Sequence, residues 1–176
     1  GKTIFCLQTL MHHARQGKKC LYMSFEESEQ QLIEHMREFG WNPDELIESQ
    51  NLAIKMFLTS DIYYDNKMGP TGGVDAMIAN DSDSLLMDLK PLAITKTVGF
   101  KPDIIALDSL TAIASSFMGR EQSYRFYVER LFRFFKGIGA TTFLITETPD
   151  KTDIYSSTGV EEFIADGVIV LYNLRN

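Results

Sequence analysis

Apolar runs at residues 20–25, 52–58, 103–108, 141–146 and 167–172 limit what this chain can become more than any other feature. Each is short for a helix, and most lack the polar–apolar alternation of a half-exposed strand, which is the pattern of a strand covered on both faces. Helical spacing appears around and between them. Ile4, Leu7, Leu10 and Met11 line one side of a helix that Gly17 can stop. Ser28 is a helix N-cap, and Gln31 three residues on completes a capping box. Leu32, Ile33, Met36 and Phe39 then form an apolar face that ends at Gly40. A further helix is expected from about Glu121 to Lys136, closed by Gly137 and Gly139. Strands alternating with helices predict an α/β fold with a mostly parallel central sheet and helices on both faces. Residues 59–80 contain Gly69-Pro70 and Gly72-Gly73 and read as a loop. A helix capped at Asp81 or Ser82 is expected to follow and run toward Thr97.

At 176 residues the chain fits a single domain, and no repeat, low-complexity segment or interior linker divides 1–176. The longest apolar stretch, residues 104–117, contains Asp108 and falls short of the roughly 20 apolar residues a membrane helix needs. A net charge of −7 argues against a general electrostatic grip on nucleic acid, although a local basic site remains compatible with it. Cys6 and Cys20 sit among apolar residues without metal-ligand spacing and read as reduced core thiols, the usage of a cytoplasmic protein.

In open α/β sheets, ligands bind beyond the carboxyl ends of the strands. Here those ends carry Glu26-Glu27, Asp108-Ser109 and Thr146-Glu147. Any one of these acids could simply cap a helix or face water. Several converging on one crevice would repel one another unless a divalent cation and phosphates offset the charge. Gly1-Lys2-Thr3 opens the first helix with the last three residues of the phosphate-loop pattern G-x-x-x-x-G-K-S/T. In such a loop backbone N–H groups cradle phosphates, the lysine reaches the β- and γ-phosphates and the hydroxyl holds Mg²⁺. Asp108, closing Ile104-Ile105-Ala106-Leu107, fits a Walker B acid that orients Mg²⁺ or its water. Glu26 and Glu27 are candidates for positioning the water that attacks a γ-phosphate. Neighbours on a strand point to opposite faces, so unless the strand ends in a twist only one of the pair faces the phosphate directly.

Leu21-Tyr22-Met23-Ser24-Phe25-Glu26-Glu27 and the residues through Ile33, with Phe39-Gly40-Trp41 behind them, resemble the segment after the phosphate-loop helix of KaiC-family ATPases. Residues 103–112 and 159–171 resemble two further blocks of that family, in family order. The resemblance implies a RecA-like P-loop fold that binds ATP and Mg²⁺ and hydrolyses ATP. It further implies a homo-oligomer, often a hexameric ring with ATP between neighbouring subunits, in a regulatory or signalling role. On the same basis Gly1, Lys2 and Thr3 end the phosphate loop, and Thr3 and Asp108 hold Mg²⁺. Glu26 is the primary hydrolytic residue beside Glu27, and Thr146 and Glu147 sense the γ-phosphate. The resemblance also implies that the chain starts inside the phosphate loop, without the strand before it. It stops short of the basic segment with which family members reach a neighbour's nucleotide.

Arg120, Arg125, Arg130 and Arg133 are candidates for action across a subunit boundary, against an ordinary reading as solvated positions on a helix. Tyr124, Phe126, Tyr127, Phe132, Phe134 and Phe135 are explained by core and subunit-contact packing. His12, His13 and His35 show no metal spacing, and nothing singles out Ser115, Ser116 or Ser123 as a phosphate acceptor. Two other functions keep the fold. A recombination or repair ATPase would bind DNA through loops after Asp108 and Glu147, but residues 148–158 are not basic. A nucleotide-binding scaffold without hydrolysis would have little use for Lys2, Thr3, Asp108 and both glutamates together.

Overall fold

A computed structural model describes residues 1–57, 97–119, 121–147 and 159–171. The loop expected at 59–80, the helix expected after it up to residue 96, the loop at 148–158, Arg120 and Tyr172 lie outside the described residues. In chain order the elements are α1 (Lys2–Arg15), β1 (Cys20–Ser24), α2 (Glu29–Glu38), α3 (Asp44–Glu48) and β2 (Leu52–Met56). They continue with β3 (Ile104–Asp108), α4 (Leu110–Ser115), α5 (Glu121–Ile138), β4 (Thr141–Leu144) and α6 (Val160–Ile164). The strands form one sheet in the order β2-β1-β3-β4, every pair parallel. All four carboxyl ends therefore lie along one edge.

Strand periodicity divides the core into two layers. Leu21 and Met23 of β1, with Ile105 and Leu107 of β3, pack under α4 and α5 through Leu110, Ile113, Tyr124, Val128, Leu131 and Phe135. Cys20 and Tyr22, with Ile104 and Ala106, face the other way and meet Leu7, Leu10 and Met11 of α1 and Leu32 and Met36 of α2. Helices thus cover both faces, as the apolar runs require. The register continues this alternation to Asp108, which sits opposite Ser24 and on the face of Tyr22 and α1.

The capping box at Ser28 and Gln31 is present and starts α2. Three short helices have no counterpart in the sequence expectation: α3, α4 and α6. At five or six residues each is too short to show a helical period. Residues 167–171, expected as a strand, are not one, and Val168, Ile169 and Leu171 are exposed. A strand is defined by pairing rather than by composition. Here the segment lines a groove of about 640 Å³ whose wall also includes Thr141 to Ile145, on the outer strand of the described sheet.

Cys6 and Cys20 are buried and unbridged. Burial first, and then the nearby Asp108 and Asp103 charges, push both thiols up to about 12. A folded-state value raised above the unfolded 9.0 favours the thiol form, so this contribution is complete below pH 9 and is lost as pH rises toward 12. Denaturant melts taken across that window should show stability falling with pH. A Cys6→Ala, Cys20→Ala double variant should show a shallower fall.

Candidate functional site

Asp108 is the hub of the carboxyl edge. Its Oδ2 accepts the Thr3 hydroxyl at 2.6 Å and the Tyr22 phenol at 2.5 Å. Thr3 reaches it because α1 lies across β1 and β3 on the face to which residues 104, 106 and 108 point. Tyr22 is fully buried, and its phenol is held well above the usual tyrosine range, by burial first and then by the bond to Asp108. It is therefore a fixed donor. Two donors on one carboxylate oxygen set the plane of the carboxylate and leave Oδ1 turned to other partners.

Past β1 the chain turns sharply. The buried Ser24 hydroxyl accepts the backbone N–H of Glu26 at 3.3 Å and of Glu27 at 2.9 Å. The turn separates the two glutamates. The Glu26 Oε1 accepts the Ser109 hydroxyl at 2.7 Å, beside Asp108, whereas the Glu27 Oε2 lies 3.2 Å from His35 Nδ1 on α2. Alternation along a strand would have pointed them to opposite faces. The separation found here arises instead from a serine-bridged turn beyond the strand. The ladder is carried past the strand ends by Phe25 N–H to Asp108 O at 2.7 Å and Phe57 N–H to Ser24 O at 2.8 Å.

The remaining expected residues are placed less centrally. Gly1 is exposed at the start of α1 and Lys2 is half-buried. The Glu147 backbone N–H is held by the Thr111 hydroxyl at 2.9 Å, which ties the end of β4 to α4. Lys2 and Thr146 line the groove beside β4 together with Phe5, Phe132, Phe135 and Phe143. That groove runs along the sheet edge, its wall is largely aromatic and aliphatic, and Thr3, Asp108 and Glu26 are not in it. The hydrogen-bonded polar side chains Thr3, Tyr22, Asp108, Ser109 and Glu26 gather near the strand ends instead. Arg125 and Arg133 are exposed and Arg130 is half-buried.

Tyr22, Ser24, Ser109 and His35 complete this cluster; the sequence pattern places Ser109 at a strand end and His35 on the surface, and gives none of the four a role in the site. Ser109 carried a signal, a serine directly before an apolar stretch, and it does cap α4 through Ala112 N–H at 3.2 Å. Tyr22 carried none, since within a buried strand it reads as core.

The donor set suits Mg²⁺. This ion keeps several waters and takes one or two carboxylates plus phosphate oxygens rather than an all-protein cage. Among the described residues no group of three or more His, Cys, Asp or Glu side chains could hold a metal, while the Thr3–Asp108 pair supplies a hydroxyl and a carboxylate side by side. No described helix is long and apolar enough to cross a membrane.

The family model described as "ATPase: KaiC" matches residues 1–176. The circadian clock oscillator protein KaiC of Thermostichus vulcanus is 31% identical over 176 residues, covering 99% of this chain and 31% of the relative. That of Prochlorococcus marinus strain MIT 9313 is 32% identical over 180 residues, covering 99% of this chain and 32% of the relative. The chain thus spans about a third of the length of these curated relatives. The crystal structure of the KaiC-like protein PH0186 from Pyrococcus horikoshii OT3 superposes with a TM-score of 0.67 at 25% identity, covering 94% of this chain and 62% of that one. With a parallel α/β sheet of RecA type and a family match along its whole length, the chain belongs to the KaiC ATPase family.

Proposed function

We propose that this domain binds and hydrolyses ATP with Mg²⁺, as a cytoplasmic, regulatory ring oligomer. The observation that carries the reading is the continuous polar chain from Thr3 through Asp108 and Ser109 to Glu26, assembled from α1, β3 and the turn after β1. Thr3 and Asp108 would hold Mg²⁺, which when bound neutralises charge on the phosphate oxygens. Gly1 and Lys2 contribute phosphate contacts from the helix start, the amide through its N–H and the lysine through its charge. Glu26, exposed at the same edge, orients the attacking water and accepts its proton. Glu27 is turned to His35 and sets the shape of the turn. Thr146 and Glu147 lie at the next strand end, where a γ-phosphate sensor would be placed. Exposed Phe163, Met118 and Phe126 supply apolar surface suited to subunit contacts.

The test uses the full-length protein with Mg²⁺ and ATP, alongside Lys2→Ala. The parent should turn over ATP slowly and sediment as an oligomer when nucleotide is bound. Lys2→Ala should weaken nucleotide binding by about tenfold or more, the scale of losing a charge-assisted contact to phosphate. A parent that binds ATP yet never turns it over would make the domain a nucleotide-binding scaffold.

A further inference from the structure

We propose that Ser109 is a positioning residue for hydrolysis: its hydroxyl donates to the Glu26 carboxylate and fixes the orientation in which that carboxylate meets water. The inference rests on the hydrolytic role given to Glu26 above.

The direction of the bond follows from the groups present. Ser109 Oγ lies 3.2 Å from the Ala112 backbone N–H, which can only donate, so a lone pair of the hydroxyl is engaged there. An ionised carboxylate only accepts, so the single hydroxyl proton goes to Glu26 Oε1 at 2.7 Å. The Ser109 side of this arrangement is held in place. Ser109 is 3% exposed, and the residues around it are tied in place by Leu110 N–H to Ile145 O at 2.8 Å and Phe25 N–H to Asp108 O at 2.7 Å.

Glu26 is the opposite case. Its side chain is exposed on a turn, and a glutamate there has several rotatable bonds to order before it can work. A rigid donor at the strand end selects one rotamer and occupies Oε1. Oε2 is then the oxygen presented to water. Ser109 also follows Asp108 directly, so the metal-side carboxylate and the donor that orients Glu26 are set by the same two residues of β3 and its end.

The competing role for Ser109 is the N-cap alone, and the two are separable. Glycine replaces serine at an N-cap at little cost, whereas alanine is clearly worse there. Both lack the donor; threonine keeps it. In the full-length protein, Ser109→Gly and Ser109→Ala should each lower kcat by about tenfold to a hundredfold, the scale of a misplaced catalytic group. Affinity for a fluorescent ATP analogue should stay within about twofold of the parent, since this contact serves only the chemical step. Ser109→Thr should restore turnover to within about threefold, because it can both cap and donate. Turnover in Ser109→Gly within about twofold of the parent would overturn the proposal. So would a loss that follows capping, with Ala impaired and Gly not. Glu26→Gln, assayed beside them, keeps the two readings apart. Full activity there would remove the hydrolytic role itself, whereas its loss alongside an active Ser109→Gly would remove only the role of Ser109.

Discussion

Replacing Glu26 by Gln should lower ATP turnover by about 10²- to 10⁴-fold, the range of a positioned general base, and leave nucleotide affinity nearly unchanged. The substitution is chosen for its shape. The amide oxygen of Gln can still accept the Ser109 hydroxyl that Glu26 Oε1 accepts at 2.7 Å, so the side chain keeps its place and loses only its charge and basicity. A Glu26→Ala change would mix loss of the base with loss of the contact. Glu27→Gln is the control. Its carboxylate lies 3.2 Å from His35 of α2, on a surface where both side chains are about half exposed, whereas Ser109 bonds Glu26. Its effect on turnover should stay below about tenfold, since a screened surface pair contributes little. Equal losses in the two variants would mean that the turn after β1 rearranges when nucleotide binds. Single-turnover hydrolysis with a separate binding titration distinguishes the chemical step from affinity.

The parts of this site differ in how far sequence pattern reveals them, and the reason is physical. β1 and β3 were expected because a strand buried on both faces needs an uninterrupted apolar run, and residues 104–107 are such a run; β2 and β4 were expected on the same ground, although β4 is only partly covered. The capping box at Ser28 was legible because its two hydrogen bonds are local, three residues apart. Asp108 was legible as an acid at a strand end, and its meeting with Thr3 follows from helix order and strand parity. Tyr22 was not. Its contact with Asp108 joins residues 86 apart in the chain, and only the β1–β3 register brings them together. That one glutamate of the pair stands apart was legible, but the different partners of Glu26 and Glu27 were not, because they depend on the Ser24 hydroxyl closing a turn beyond the strand. Residues 167–171 show the converse error. Val168, Ile169 and Leu171 have strand composition, yet among the described residues the segment pairs with no strand and these side chains are exposed. Composition reports what a segment could bury, whereas strand formation also needs an open edge in register.

Asp108→Ala should cost both stability and metal response, and the two losses have different origins. The Tyr22 phenol is fully buried and donates a hydrogen bond to Asp108 Oδ2 at 2.5 Å. Removing the acceptor leaves a buried donor to find another partner, a cost of about 1–3 kcal/mol. Asp108→Asn keeps an acceptor oxygen and should be milder, though it loses the charge. If the orphaned phenol is the cause, adding Tyr22→Phe to Asp108→Ala should recover part of the loss. The coupling energy should be about 0.5–3 kcal/mol, as for groups in one hydrogen-bond network, measured by chemical denaturation of all four members of the cycle. The metal response behaves otherwise. In the parent, nucleotide affinity should be stronger with Mg²⁺ than with chelator, and both Asp108 variants should flatten that difference because each removes the carboxylate charge. Tyr22→Phe alone should keep most of the Mg²⁺ response, since Thr3 still donates to Oδ2 at 2.6 Å and the charge is intact. Rescue of stability without rescue of the Mg²⁺ response would separate the two tasks of Asp108: accepting the hydrogen bond of a buried phenol and presenting its other oxygen to the cation. A Mg²⁺ response that survives Asp108→Ala would mean that the cation is held by phosphate and Thr3 without this carboxylate, and the metal role assigned to Asp108 would fall.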